Sequence, residues 1–254
     1  PDSASRPGVP DLAAVPAADW DSCRMLFVCS PANPSGAVLD LDDWASLFRL
    51  ADGHGFIIAS DECYSELYPD ESSPPIGVLQ ACKELGREDF RGCAAFHSLS
   101  KRSSLPGLRS GMVSGDAALL KDFLLYRTYH GCAMPLPNQH ASAAAWSDET
   151  HVVANRELYR RKFEAVIAAL GDLLDLRMPE GGFYLWPCVH GDDTRFAREL
   201  LRHEGVSVLP GSFLGRDGAT GNPGAGRVRI ALVGSLEETR EAVRETADAL
   251  KAKK

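Results

Sequence analysis

The chain has 254 residues, 44% of them hydrophobic, with a formal charge of -8 at pH 7 and a sequence pI near 5.4. Length and apolar content permit one large domain or two modest ones, and the negative balance argues against a nucleic-acid-binding surface. The longest apolar runs, MLFVC and GFIIA, fall well short of the ~20 residues of a membrane helix, and no charged-then-apolar leader opens the sequence, so no membrane partner is expected.

The first 20 residues, rich in Pro, Ala and Asp, read as a loop or linker. MLFVCS (25–30) is a short continuous apolar run ended by SPANPSG, the pattern of a strand buried on both faces and followed by a turn. Residues 41–52 repeat Trp44, Leu47 and Phe48 at helical spacing, with Asp40 placed to cap them and GHG to stop them. FIIAS (56–60), ending at Asp61, then CAAFHS (93–98) and GMVSG (111–115) read as further strands. Beyond Pro135 and Pro137 the pattern becomes one long helix over about 138–170. Strands 181–186 and 206–210, a helix 193–204, a strand 227–233 and a closing amphipathic helix 235–251 follow. The glycine-rich stretch 215–226 is a flexible loop and not a phosphate loop, since no GK[ST] follows it.

Strands alternating with helices predict an α/β fold with a mainly parallel sheet, whose ligands sit beyond the carboxyl ends of the strands. Asn33, Asp61 and Lys101 each fall just after a predicted strand, so three polar groups far apart in sequence converge on one rim. Seven cysteines (Cys23, Cys29, Cys63, Cys82, Cys93, Cys132 and Cys188) lack CxxC spacing. They read as reduced, mostly buried thiols of a cytosolic protein. The histidines show no HxxxH or HExxH spacing, and no metal site is expected.

The segment SLSKRSSLPGLRSG (98–111) frames Lys101 with Ser98, Ser100 and Arg102 and places Arg109 eight residues on. A lysine so framed suits a reactive amine beside an anion site, where a guanidinium fork and hydroxyls hold phosphate oxygens. Together NPSG (33–36), DECY (61–64), SLSK (98–101), GLRSG (107–111) and RVRIAL (227–232) resemble the fold type I, class I/II aminotransferases that use pyridoxal 5'-phosphate. LLYRTYHGCAMPLPNQ, EGGFYLW and GNPGAGRVRIAL resemble most the bacterial N-succinyldiaminopimelate aminotransferases of lysine biosynthesis.

The resemblance implies an aminotransferase-like large domain with a mainly parallel sheet, incomplete at its amino end, over residues 1–137. A connecting long helix and a smaller α+β domain would fill 138–254. It implies that Lys101 bonds covalently to the cofactor aldehyde and moves the Cα proton, and that Asp61 pairs with the pyridine nitrogen. Tyr64 and Asn33 would hydrogen-bond the ring oxygen, Ser98 and Arg109 would hold the phosphate, and Arg229 the substrate carboxylate, with Asn33 beside it. Arg102 reads as a solvated charge, and Trp44, Tyr184 and Trp186 as core or pocket wall. The implied reaction exchanges the amino group between glutamate/2-oxoglutarate and N-succinyl-2-amino-6-oxopimelate. A different aminotransferase, a carbon–sulfur lyase or a non-catalytic binding module shares most of these residues. The family also implies a homodimer, and an amino-terminal third preceding Pro1 that would carry a second phosphate-binding turn and a ring-stacking aromatic. Without it, strands 25–30, 56–60 and 93–98 are expected to lack neighbours.

Overall fold

A computed structural model describes residues 6–189, 191–218 and 221–252. The first five residues of the expected amino-terminal loop, and Ala219 and Thr220 of the glycine-rich stretch, lie outside them. In chain order the elements are α1 (Ala17–Ser22), β1 (Met25–Cys29), α2 (Leu41–His54), β2 (Ile57–Asp61), α3 (Val78–Glu84), β3 (Cys93–Ser98), α4 (Leu99–Arg102) and β4 (Gly111–Gly115). Then come α5 (Ala117–Tyr129), α6 (Leu136–Ser147), α7 (Thr150–Leu174), β5 (Tyr184–Leu185), α8 (Asp193–Glu204), β6 (Leu209–Pro210), β7 (Val228–Ala231) and α9 (Leu236–Ala252).

The first sheet runs β1-β2-β3-β4, with the first three strands parallel and β4 antiparallel to β3. Its registers put Leu26 beside Ile58 and Cys93, and Val28 beside Ser60 and Ala95, on one face. That face packs on Trp44, Leu47, Phe48, Val78, Ala81 and Cys82 of α2 and α3. The opposite face is open at β1, where Phe27 is 77% exposed. Both β2 and β3 are paired on both sides, which corrects the expectation that they lack neighbours. Only β1, among the three, keeps an unpaired edge among the described residues. The antiparallel return of β4 supplies the partner that β3 needed.

The second sheet is antiparallel, in the order β5-β7-β6. It packs against α7 and α9 through Phe163, Val166, Leu170, Leu185, Val228, Leu232 and Val243. A small aromatic cluster of Tyr64, Leu67, Phe183 and Tyr184 takes one pair from the segment after β2 and the other from the start of β5.

Local signals explain much of this. Asp40 caps α2 in a reciprocal box with Asp43, and Gly55 closes the helix in the left-handed region at φ 75°. Other expectations need correction. The amino-terminal loop contains a 3-10 turn (Leu12–Ala14) and α1, with Trp20 buried against Phe56. The long helix is two helices: Asp148 is extended, and its carboxylate accepts from Thr150 N to start α7 afresh. The strands of the second sheet are shorter than the apolar runs that predict them, because β7 pairs only two residues with each neighbour. All seven cysteines are free, but only Cys82 and Cys93 are buried; Cys132 and Cys188 are exposed at loops. No helix of the described residues is long and apolar enough to cross a membrane.

Candidate active site

The lysine segment is closed by the sheet itself. Ser98, last residue of β3, pairs in register with Gly111, first residue of β4, so residues 99–110 form a loop at the strand ends. Gly111 is required there, because a Cβ would lie 2.7 Å from the His97 carbonyl oxygen. The Ser98 hydroxyl accepts from Ser100 N at 3.1 Å, capping α4, and donates to the Ser110 carbonyl at 3.3 Å. Lys101 lies in the single turn of α4 and Arg109 follows a 3-10 turn, in the left-handed region at φ 53°. The exposed Arg109 guanidinium turns back on its own loop, where Nη1 donates to the Pro106 carbonyl at 2.7 Å.

Asp61 ends β2 on the same rim, in register with Cys29 and Phe96. It is exposed, and its carboxylate accepts from Cys63 N at 3.1 Å. Cys63 lies close to both Asp61 and Lys101. Burial first, then the neighbouring carboxylate, push its thiol up to about 12, while the Lys101 cation pulls the other way. Directly after Asp61, Glu62 points inward: its buried carboxylate accepts from Ser60 Oγ at 2.9 Å and from Val78 N at 2.7 Å, at the start of α3. Burial raises its pKa, and His97 Nε2 stands 3.6 Å away.

The Lys101 ammonium stands 5.0 Å from the Phe183 ring centre and 5.9 Å from that of Tyr64. The buried hydroxyls of Tyr64 and Tyr184 hydrogen-bond to each other at 3.0 Å, either serving as donor. Desolvation, with Tyr184 next, drives the Tyr64 phenol well above its ordinary pKa. The Arg229 guanidinium lies 4.6 Å from the Tyr184 ring centre, and its Nη1 donates to Asn33 Oδ1 at 2.9 Å. The Arg229 Nε is buried and has no partner among the described residues.

Two glycines hold this second half together. Gly181 N donates to the Gly36 carbonyl and Gly182 N to the Leu67 carbonyl, so the segment before β5 threads between the NPSG turn and the turn after Tyr64. A Cβ on Gly181 would meet Pro31 at 2.5 Å. That close approach brings Asn33 within reach of an arginine 196 positions away.

The predicted residues thus meet in two groups, Ser98, Lys101, Arg109 and Asp61 on the rim of the first sheet and Asn33 with Arg229 at the second, joined through Tyr64. One residue differs from its expectation and another gains partners. Tyr184 is core and pocket wall, as expected, and it touches both Tyr64 and Arg229; the FY pair after EGG is the signal, but its partners are long-range. Arg102 is not a solvated charge. It is buried, pairs with Glu149, donates to the Ala145 carbonyl at 3.0 Å and lies over the Trp146 ring. Its neighbour Ser103 accepts or donates at 2.8 Å to His151, and Asn155 reaches the carbonyls of Lys101 and Arg102. The loop bearing Lys101 is thereby fastened to the α6–α7 junction.

A lysine and a carboxylate thus lie on the rim of a mainly parallel sheet, and paired tyrosines connect that rim to an arginine of the second sheet. The sequence pattern of the aminotransferase class I and II family matches residues 11–245, and the chain belongs to that family. It is 36% identical to a probable aminotransferase of Mycobacterium tuberculosis over 87% of this chain and 51% of that protein. It is 33% identical to an LL-diaminopimelate aminotransferase of Nitratidesulfovibrio vulgaris over 92% of this chain and 59% of that one. Among solved structures, an aminotransferase from Neisseria meningitidis superposes with a TM-score of 0.90 at 54% identity, covering 95% of this chain and 61% of that chain. A probable N-succinyldiaminopimelate aminotransferase from Thermus thermophilus gives 0.83 at 28% identity, covering 95% and 63%. The chain therefore spans about half to three-fifths of the length of these relatives.

Proposed function

We propose that the chain carries the lysine and arginine halves of a pyridoxal 5'-phosphate-dependent transamination site. One observation carries the reading: a lysine amine lies near one member, and a guanidinium with an unpartnered buried Nε against the other, of a single hydroxyl-bonded tyrosine pair. The donor set fits the family's cofactor. A carboxylate and an amine lie close to one thiol on the rim, and a guanidinium and a hydroxyl belong to the same closed loop. When bound, the cofactor supplies an aldehyde carbon for an amine and an electron-withdrawing ring for charge developed at the substrate Cα.

In this reading Lys101 would hold the cofactor covalently, and its amine would move the Cα proton. Asp61 keeps the ring nitrogen protonated. Tyr64 and Asn33 orient the ring oxygen, and Ser98 with Arg109 holds the phosphate. Arg229 takes the substrate carboxylate as a planar, permanently charged fork.

The names of relatives support an amino acid of the diaminopimelate series as substrate. The reading makes glutamate/2-oxoglutarate and N-succinyl-2-amino-6-oxopimelate the exchanging pair, in lysine biosynthesis. The reading includes a cofactor-binding part over 1–137, a second part over 138–254, and a cytoplasmic homodimer. Helix α5 supports the partner, because it buries no residue and leaves Leu124, Leu125 and Tyr129 exposed. Protein loaded with pyridoxal 5'-phosphate should be yellow, bleach with glutamate and recover with 2-oxoglutarate. Borohydride should trap the cofactor on Lys101, and Lys101→Ala should abolish both. A trapped adduct in Lys101→Ala, or colour that glutamate leaves unchanged, would overturn the reading. Comparing N-succinyl-LL-diaminopimelate with LL-diaminopimelate as donors decides the substrate.

A further inference from the structure

We infer that Tyr184 is a positioning residue that couples the two ends of the site, setting the Tyr64 hydroxyl with its own hydroxyl and backing the Arg229 guanidinium with its ring. The inference rests on the transamination reading for its catalytic consequence, but not for the coupling itself.

The placement follows from the second sheet. Tyr184 pairs in register with Ala231, and Arg229 lies two residues along the same strand, so both point to one face. A small residue opposite Tyr184 leaves the ring free to lie against the guanidinium, 4.6 Å from its centre. The ring is 5% exposed, so its hydroxyl needs a buried partner, and the Tyr64 hydroxyl at 3.0 Å is that partner. Phe183 is stacked on Tyr159 and edge-on to Tyr64, which prevents the Tyr64 ring from swinging away. One side chain therefore sets two distances at once: the phenol next to Lys101 and the guanidinium next to Asn33.

Tyr184→Phe separates the two roles, since it keeps the ring and removes the hydroxyl. In cofactor-free protein carrying tyrosine labelled with carbon-13 at Cζ, the Tyr64 signal, identified by its loss in Tyr64→Phe, should move in Tyr184→Phe and stay in place in Tyr159→Phe. In cofactor-loaded protein the pH midpoint of the visible band should shift. The kcat should fall about 3–10-fold, the scale of one lost hydrogen bond, with KM for glutamate unchanged within twofold because the guanidinium keeps its support. An unmoved Tyr64 signal overturns the inference. So does an equal change in kcat and KM with no shift of the pH midpoint, which is the signature of general distortion. If the wild-type protein forms no trapped adduct at Lys101, the transamination reading fails, and the Tyr64 signal alone still decides the coupling.

Discussion

The lysine end and the arginine end of the site are built in opposite ways. Residues 98–111 form one loop whose ends pair with each other, so Ser98, Lys101 and Arg109 are gathered by a single strand–turn–strand passage. Arg229 instead meets Asn33 across 196 positions and Tyr184 meets Tyr64 across 120, and the contact depends on Gly181 passing close to Pro31 and on Gly182 bonding the Leu67 carbonyl. The locally closed loop takes long-range support from the α6–α7 junction. A site half assembled by long-range contact depends on every segment that crosses it.

Four substitutions test that contrast. The largest effect is expected from Arg102→Leu, which removes a buried guanidinium fastening the lysine loop to α6 and α7. Loss of an ion pair, a backbone hydrogen bond and a ring contact should cost roughly 2–4 kcal/mol, read as a lower urea midpoint. It should loosen the lysine end while the carboxylate end stays intact. Arg229→Leu should do the reverse: KM for the amino-acid donor should rise by roughly 10–150-fold, equal to ~1.5–3 kcal/mol for hydrogen bonds to a charged group, with cofactor capture at Lys101 retained. If both variants lose both properties, the two ends are one cooperative unit.

Gly181→Ala forces a Cβ against Pro31 at 2.5 Å. Overpacking of about 1–3 kcal/mol is expected, with carboxylate binding weakened more than cofactor capture. The smallest effect concerns pH at the α6–α7 junction. The His151 hydrogen bond, with the Thr150 amide next, holds the Asp148 carboxyl at about 2 against an ordinary 3.8. Its folded pKa is depressed, so its contribution is present above pH 3.8 and is lost as pH falls toward 2. In His151→Ala the Asp148 pKa, followed by NMR, should move up toward 3.8, and the part of the acid limb that this carboxylate supplies between pH 3.8 and 2 should shrink.

Much of the lysine end was legible because its signals are local. Asp40 as a cap, the apolar runs of β1 to β3 and the small residues around Lys101 are read from neighbours a few positions away. The same local reading fails at Arg102, since nothing nearby shows that Trp146 and Glu149 cover it. It fails too at Asp148, where a carboxylate that bonds Thr150 N breaks a helical pattern that periodicity alone would continue. Helices α3 and α5 escape the sequence pattern: α3 is only seven residues long, and α5 has no apolar stripe because Lys121, Asp122 and Arg127 are spread around a helix otherwise rich in apolar residues.

The order of residue types along the chain was enough to establish the α/β class and the rim of strand ends on which Asp61 and Lys101 lie, because each depends on contacts a few residues long. Only the folded chain decided that Tyr184 joins Tyr64 to Arg229, that Arg102 is an anchor, and that β4 returns antiparallel to close the lysine loop. Those outcomes depend on which surfaces meet across tens to hundreds of positions, and packing chooses among such meetings by shape and by the need to pair every buried polar group.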